Sequence, residues 1–354
     1  MSVERANTLT AGWASVSPVR VFSAAAVYPL LALLATVAAD PARAELRAVA
    51  PTPLELPIRA ALGVWTREGA ALTLDWAARC DPRLTGDPAI DRPLLDAWAA
   101  AQTGAPVPPL PLTTADTSLT LACALSVVAD WREPFTDGIL RPTAGPWSGR
   151  RLASLHRRGS DLSALRVAAT PLGPLTLLTV PGTGPVDVVL CTTAGAAPPG
   201  AVLSSAVTAL AGSPPASTDG PGVTATVVAA DDPEPELVVK VPRFAASAAH
   251  DLLPLADLLG LTAATRAAAF PGIAPGLRLG AAGQSVAAAF TAPGFRPAPT
   301  TPAPVVPVPA RPATTTQRLR VTARFDTPFG YLAVDRPSGL VLLAGWVDAP
   351  EEAR

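Results

Sequence analysis

In the first third of the chain, apolar residues mostly recur at helical spacing, in segments that end at proline or glycine residues. Residues 6–18 predict a first helix that ends at Pro18, and residues 40–50 predict a short helix that begins with Asp-Pro. A longer helix is predicted for residues 91–103, with a proline at an early helical position and Gly104 as its stop signal.

The most apolar stretch covers residues 21–39. Its length suits a signal-peptide core or a short membrane span. Ser23 and Pro29 interrupt it, however, and about twenty residues of ordinary polar sequence precede it. We therefore predict a buried helix and no membrane association. Without a convincing signal peptide, the protein is expected to be cytoplasmic or extracellular, and the sequence does not decide between them.

Strand-like runs dominate the rest of the chain. They cover residues 60–66, 118–131, 164–170, 175–180, 186–191, 236–244, 284–290, 320–334 and 339–347. Residues 118–131 are apolar on both faces, which is typical of a strand in the centre of a sheet. Two helices are predicted among these runs, a short one at 204–212 and an amphipathic one at 250–261 that ends at Gly260.

The order of these runs predicts an α+β fold. Proline and glycine turns separate the three runs within residues 164–191, which indicates an antiparallel meander. The last two runs predict a terminal hairpin around residues 336–339. No period of 20–50 residues repeats, so we do not expect a solenoid or propeller. We expect large, mostly antiparallel sheets with surrounding helices.

Residues 291–317 stand apart from this pattern. They contain eight prolines and no acidic residue, and they lie between two strand-like runs. Such a segment suits a linker, an exposed bait for a protease, or a part that moves. A proline-rich segment in polyproline II conformation with no partner would have the same composition.

Composition narrows the function classes. Hydrophobic residues make up 49% of the 354 residues and charged residues 16%, which suffices for a sizeable core. The net charge is −1, so we expect no nucleic-acid partner. Cys80, Cys123 and Cys191 are far apart, and the chain has only two histidines, His156 and His250. We therefore expect no metal site and no cofactor.

Six short motifs occur in an order that resembles a known family. They are Phe22-Ser23 at the start of the apolar stretch, DAWAAAQTG at 96–104, ALSVVADWREPF at 124–135, KVPRF with HDL at 240–252, LLGL with AFPGI at 258–273, and the stretch from Pro328-Phe329 to Pro350. Each motif is weak alone, but six in the correct order are specific. Over nearly its whole length the chain resembles the serpin family of serine protease inhibitors, in a bacterial-type form.

This resemblance implies a fold and an activity. It implies one serpin-like domain over residues 1–354, with three mostly antiparallel β-sheets, surrounding helices and an exposed reactive-centre loop at about 291–317. It also implies a monomeric endopeptidase inhibitor and not an enzyme. The partner is a serine or cysteine protease, which cuts the loop and forms an acyl-enzyme. The cut loop then inserts into the central sheet as a new strand and distorts the protease.

The hinge of the loop departs from the family pattern, which favours small residues. Its positions are occupied by Gly294, Phe295, Arg296, Pro297, Ala298, Pro299, Thr300, Thr301 and Pro302. Proline has no N–H for a ladder bond, and each lost bond costs about 1 kcal/mol or more. The wide ring of Phe295 also resists entry into a packed sheet. These residues disfavour the insertion that covalent trapping requires.

The scissile bond is not defined by spacing. Counting forward from the hinge reaches Val308, and counting back from Phe329 reaches Gln317 and Arg318, so the two estimates differ by about nine residues. A proline follows both Val308 and Arg311, and a proline directly after the cut position hinders most serine proteases, so both bonds are poor cleavage sites. Arg318 and Arg320 would suit a trypsin-like protease.

Two regions under the opening sheet are assigned by the resemblance. Trp131 is retained at the breach, the point where insertion begins. In the shutter, the family's buried polar latch, Ser23 is retained, while Cys123 and Gln284 replace an asparagine and a histidine. Because an unsatisfied buried polar group is costly, these changes indicate a repacked shutter.

Two other functions stay open. The chain could be a non-inhibitory serpin-fold protein with a binding or structural role. It could also be an enzyme, but it has no GxSxG motif, His156 reads as part of a solvated arginine-rich turn, and His250 reads as a helix start beside Asp251.

Overall fold

The computed structural model describes residues 1–16, 20–79, 83–113, 117–295 and 316–353. Within these residues it contains seven α-helices. Their bounds are α1 Ser2–Val16, α2 Ala24–Val37, α3 Ala42–Val49, α4 Leu74–Arg79, α5 Pro88–Thr103, α6 Pro199–Ala211 and α7 Thr262–Arg266.

The described residues also form eighteen strands. Their bounds are β1 Val21–Phe22, β2 Ala60–Arg67, β3 Arg83–Leu84, β4 Leu119–Ser126, β5 Ala129–Asp130, β6 Thr136–Leu140, β7 Leu152–Gly159, β8 Leu165–Thr170, β9 Gly173–Val180, β10 Val186–Thr193, β11 Val223–Ala230, β12 Glu236–Pro242, β13 Phe244–Asp251, β14 Leu279–Phe290, β15 Gly294–Phe295, β16 Thr316–Arg324, β17 Phe329–Asp335 and β18 Leu340–Val347.

The strands form three sheets, which confirms the α+β prediction. A six-stranded sheet has the order β1-β18-β17-β10-β9-β8, and a five-stranded sheet has the order β11-β16-β12-β7-β6. The third, here called the central sheet, runs β3-β2-β4-β14-β15-β5, with β13 paired to β14. Most pairs are antiparallel, and the exceptions are β2 with β3, β4 with β14, and β12 with β16.

Helices cover both faces of the central sheet. On one face α5 packs over β2 and β4, where Trp98 and Trp65 meet edge to face at 5.5 Å. On the other face lies α2, which contacts the same two strands. All eight residues of β4 are therefore buried, as the two-sided apolar pattern predicts.

Local signals explain the ends of the predicted helices. The Asp87 side chain accepts a hydrogen bond from the Ala89 N–H at the start of α5, and Gly104 ends the helix at φ 66°. In α2 the Ser23 side chain accepts from the Ala26 N–H in the same way. No helix within the described residues has the length and apolar character needed to span a membrane.

Several sequence predictions are wrong in detail. Residues 250–261 do not form a helix, because His250 and Asp251 belong to β13 and only a short 3-10 turn follows. Val21–Phe22 form a strand ahead of α2. The run 320–334 is divided between β16 and β17, which lie in different sheets. His156 is half-buried in β7 and not part of a solvated turn.

Candidate functional site

The start of the segment predicted to be the hinge of a reactive-centre loop is held against the central sheet. After β14 ends at Phe290, the chain turns and returns as β15, in which Gly294 pairs with Asp130 and Phe295 pairs with Ala129. The Thr291 hydroxyl and N–H both donate to the Gly294 carbonyl, at 2.7 and 2.9 Å. These bonds close a tight turn, and the first two hinge positions, Gly294 and Phe295, are paired directly after it.

Trp131 and Phe135 bind the same turn through its backbone. The indole N–H of Trp131 donates to the Thr291 carbonyl at 2.9 Å, and its backbone N–H donates to the Pro293 carbonyl at 3.0 Å. The Phe135 N–H donates to the Ala292 carbonyl at 2.9 Å. Three successive carbonyls are thus satisfied by one short segment, which places Trp131 at the base of the loop.

Gly294 and Phe295 each fit their positions closely. A Cβ on Gly294 would lie 2.4 Å from the Ala129 carbonyl oxygen, so a larger residue would force the strands apart. The Phe295 side chain has 0% exposure, and its ring centroid lies 6.1 Å from that of Tyr331. The aromatic ring therefore anchors the hinge in the core.

The other end of the loop is held in the five-stranded sheet. Strand β16 pairs antiparallel with β11 over eight residue pairs and parallel with β12 over five. Gln317, Arg318 and Arg320 lie in this strand, and the Arg320 Nε is 2.5 Å from a Glu236 oxygen. A strand that is paired on both edges does not offer its backbone to a protease. The scissile bond at these three residues stays a prediction, and this pairing disfavours it.

The central sheet is closed where a cut loop would have to enter. Strands β4 and β14 are parallel neighbours from Leu119 with Leu279 to Ser126 with Ala287, with one irregularity near the start of β14. Nothing separates them along this length. Entry of a further strand would first require the whole ladder between them to part.

The three residues assigned to the shutter meet beneath this ladder. The Gln284 side-chain amide accepts from the Ser23 N–H at 2.9 Å and donates to the Ser23 carbonyl at 2.7 Å. Its nitrogen also lies 3.5 Å from Cys123 Sγ. The Ser23 hydroxyl donates to the Leu342 carbonyl at 2.6 Å. Glutamine thus ties α2 to β14 with both ends of its amide.

Cys123 is a structural thiol. It is fully buried and free, and burial raises its pKa to about 12, with a small opposing effect from the hydrogen bond to Gln284. A thiol with this pKa stays protonated at neutral pH and is a poor nucleophile. Its role in the shutter is packing.

A serine–histidine pair lies outside the hinge but does not form a catalytic site. Ser154 Oγ and His156 Nε2 are 3.0 Å apart, the distance expected between a nucleophile and its base. Ser154 is only 1% exposed, however, so a substrate has no access to its hydroxyl. Among the described residues, no three His, Cys, Asp or Glu side chains come together as a potential metal site.

Part of the predicted site lies outside the described residues. These positions are Arg296, Pro297, Ala298, Pro299, Thr300, Thr301, Pro302, Val308 and Arg311. Of the elements that hold the loop, β11 was not predicted, and β5 lay inside the predicted run 118–131 without being distinguished as a separate strand. Strand β5 has only two residues, which is too short for any periodic signal. Strand β11, in contrast, carries a readable run of threonine and valine, VTATVV.

Comparisons with solved structures show which fold this is. Native protease nexin-1 with heparin matches at a TM-score of 0.74 and 17% identity, over 99% of this chain and 98% of that chain. Serpin48 of the insect Tenebrio molitor matches at 0.67 and 16% identity, over 98% and 97% of the two chains. A serpin of the trematode Schistosoma haematobium matches at 0.70 and 11% identity, over 99% and 100%.

By sequence, no protein-family model and no curated protein matches the chain. The structural likeness extends over nearly the whole of each molecule, and it includes the three sheets and the helices around them. Taken with the closed central sheet and the loop that joins it to the five-stranded sheet, it leads to one conclusion: this chain has the serpin fold.

Proposed function

We propose that this protein presents residues 296–315 to a serine-type endopeptidase as a pseudo-substrate, and that the loop does not insert after cleavage. The serpin fold supports the first part, since proteins with this fold are generally protease inhibitors. Under this proposal the intact loop occupies the active site of the protease, and the protein is released after the loop has been cleaved. A cysteine protease is an alternative partner of the same kind.

The anchored hinge carries the second part of the proposal. Insertion begins at the hinge, so Phe295 would have to leave a fully buried position, at a cost of about 1.5–3 kcal/mol. The bonds from Trp131 and Phe135 to the carbonyls of residues 291–293, in the turn before the hinge, would break as well. Insertion must outrun hydrolysis of the acyl-enzyme, so barriers of this size favour release.

The sequence beyond Phe295 adds to this barrier. Pro297, Pro299 and Pro302 would enter the sheet next, and none of them can donate a ladder bond. Each missing bond costs about 1 kcal/mol or more.

A non-inhibitory binding or structural role is the second candidate. The same hinge geometry favours it, because Gly294 is paired and Phe295 is buried, which opposes entry of the following residues into the sheet. The two candidates differ in one respect, which is whether the intact loop slows a protease. We further propose that residues 1–354 act as one monomeric domain, either in the cytoplasm or outside the cell.

A protease panel tests the proposal. The protein is incubated with trypsin-, elastase- and subtilisin-like proteases and followed by denaturing gel, mass analysis of the cut bond, and residual protease activity. We expect transient inhibition, a cut within residues 296–315, and no complex that survives SDS. An SDS-stable complex would show that the loop inserts. Cleavage without any slowing of the protease would favour the non-inhibitory role.

A repaired hinge provides the matched experiment. One variant replaces the hinge obstacles, and a control variant replaces three prolines further along the same segment. The first carries Phe295→Thr, Pro297→Ala, Pro299→Ala and Pro302→Ala, and the control carries Pro304→Ala, Pro307→Ala and Pro309→Ala. We expect cleavage to raise the melting temperature of the first variant only. A rise on cleavage of the unmodified protein would contradict the proposal.

A further inference from the structure

A pocket of about 670 Å³ lies beside the base of the loop, on the five-stranded sheet. The turn that follows Trp131 forms one wall, and strands β6, β7 and β12 form the floor. This basic pocket is lined by Arg132, Glu133, Pro134, Thr136, His156, Arg157, Arg158, Val238 and Lys240.

Strand register explains why cations gather there. Thr136 pairs with His156, and His156 pairs with Lys240, so the three lie in one row across β6, β7 and β12. Alternate residues of a strand share a face, and Arg158 therefore lies on the same side as His156. In the next strand Arg324 pairs with Lys240 and extends the row.

The positive charges exceed the negative charges around the pocket. Four lining residues are cationic, and Glu133 is the acidic one. Within the described part of the chain, neither Lys240 nor Arg132 forms an ion pair. Arg158 lies 3.5 Å from Glu236, but that carboxylate is also 2.5 Å from Arg320. The pocket is thus left with a net positive field.

Arg157 is a buried cation that borders the pocket, although strand alternation points it to the other face of β7. Its side chain is 8% exposed and lies 4.9 Å above the Phe135 ring. Its Nη1 atom is buried and has no hydrogen-bond partner within the described residues. Burial lowers the pKa of Arg157, while Glu133 and Asp161 oppose this effect. A buried guanidinium with an unused donor is costly unless an anion lies near it.

His156 reports the same field. Its Nε2 is bonded to Ser154 Oγ, and its half-buried ring lies over Gly138. Burial lowers the pKa of His156, and the charges of Lys240, Arg324 and Arg158 lower it further. A histidine kept neutral by surrounding cations occupies a place where a negative ligand is favoured.

We propose that the basic pocket binds a tetrahedral oxyanion, either free phosphate or the phosphate group of a small monoester. Lys240, Arg132 and Arg158 hold the oxygens, since ammonium and guanidinium groups suit phosphate. Pro134 and Val238 form an apolar wall for the organic part of a monoester. The site is separate from the loop chemistry and does not depend on it.

The wall of the pocket is continuous with the segment that holds the turn at residues 291–293. Arg132 immediately follows Trp131, whose N–H and indole hold the turn at residues 291–293. The Arg132 N–H donates to the Pro181 carbonyl at 3.0 Å, so its backbone is already fixed. A ligand on its side chain would order the remainder of this wall.

The single lysine of the chain makes a direct test possible. Lys240 is acylated with an amine-reactive reagent in the whole protein, with a lysine-containing peptide in the same tube as internal standard. The probes are inorganic phosphate and glycerol phosphate, compared with chloride and acetate at equal ionic strength. We expect phosphate to slow acylation of Lys240 by about tenfold at saturation. Stronger protection by glycerol phosphate would identify a monoester as the ligand, and equal protection would identify free phosphate.

Variants and a second readout complete the test. Arg132→Gln and Lys240→Gln should each weaken the Kd for phosphate by about tenfold, which is the effect of one charged hydrogen bond. Arg92→Gln, an exposed arginine on α5, should not change it.

Phosphate should also raise the pKa of His156 in a histidine NMR titration, while His250, bonded to the Val21 carbonyl, serves as the unaffected control. The charged groups that face His156 are Lys240, Arg158 and Arg324. Equal acylation rates in phosphate and chloride, or equal Kd values in all variants, would overturn the proposal. Equal protection by acetate would overturn the phosphate assignment.

Discussion

Removal of the Phe295 ring is expected to release the hinge and to destabilise the protein measurably. The side chain has 0% exposure and contacts the core beside Tyr331, at the last described position before the loop. Phenylalanine-to-alanine changes in protein cores cost about 3–5 kcal/mol, because the transfer free energy is lost and a cavity remains.

The expected shift in melting temperature follows from chain length. Unfolding entropy is about 2.1 cal/mol/K per residue, or about 0.7 kcal/mol/K for the whole chain of 354 residues. A loss of 3–5 kcal/mol then lowers Tm by about 4–7 °C. Calorimetry of Phe295→Ala measures this shift. Leu74→Ala, at an 89% exposed residue, is the control and should stay within about 0.5 kcal/mol of the unmodified protein.

Amide hydrogen exchange measures the local effect of the same substitution at the hinge. The N–H groups of Trp131 and Phe135 donate to the Pro293 and Ala292 carbonyls, in the turn just before the hinge. They should therefore exchange faster once the hinge is released. The anchoring argument fails if Phe295→Ala changes neither Tm nor the exchange of these amides. In that case the ring is not what holds the hinge, and the barrier to loop insertion must lie elsewhere.

Three more outcomes are expected. Gln284→Ala removes both amide bonds to Ser23 and leaves buried polar groups unpaired, so urea unfolding should show a loss of about 2–4 kcal/mol. Neighbouring residues of β11 point their N–H groups to opposite edges of the strand. Of the two variants Thr226→Pro and Val227→Pro, only one therefore removes a ladder bond to β16. Limited proteolysis within β16 should increase much more for that variant. Because the folded-state pKa of His156 is lowered, the unfolded chain binds its proton first, and stability should fall as pH drops below about 6.5. His156→Gln should remove this part of the pH dependence, as measured by unfolding at pH 5 to 8.

Capping and periodic patterns predicted their elements correctly. Helix α5 begins at Pro88 and ends at Thr103 before Gly104, close to the predicted 91–103. Strands β8, β9 and β10 form the predicted antiparallel meander. In these cases local propensity and tertiary environment favour the same structure, so a local reading succeeds.

The failures occur where tertiary pairing overrides local preference. Residues 250–251 carry a helix-like pattern, but they extend β13, because His250 and Asp251 pair with Gln284 and Gly283 of β14. The segment around His156 contains three bases, yet it forms a central strand because β6 and β12 pair on either side of it. A window of ten residues contains no information about neighbours that are 20 or 80 positions away.

The candidate site divides in the same way. The position of the loop and the residues Trp131, Ser23, Cys123 and Gln284 came from motif order, and the structure places them under the hinge and the central ladder. The obstacle at Phe295 was predicted from its width. What actually holds it is burial against the core, together with pairing to Ala129, and neither is visible in the local sequence.

By itself, the amino-acid sequence determined the class of fold, most of the helix and strand segments, and the proline-rich composition of residues 291–317. These features depend on local chemistry: periodicity, caps, and the missing N–H of proline. Only the tertiary structure decided that both ends of the loop are paired, that Gln284 closes the shutter, and that cations from strands β7 and β12 and from a turn line one pocket. Such features depend on register between distant strands, because side chains far apart in sequence meet only when the backbone ladder is complete.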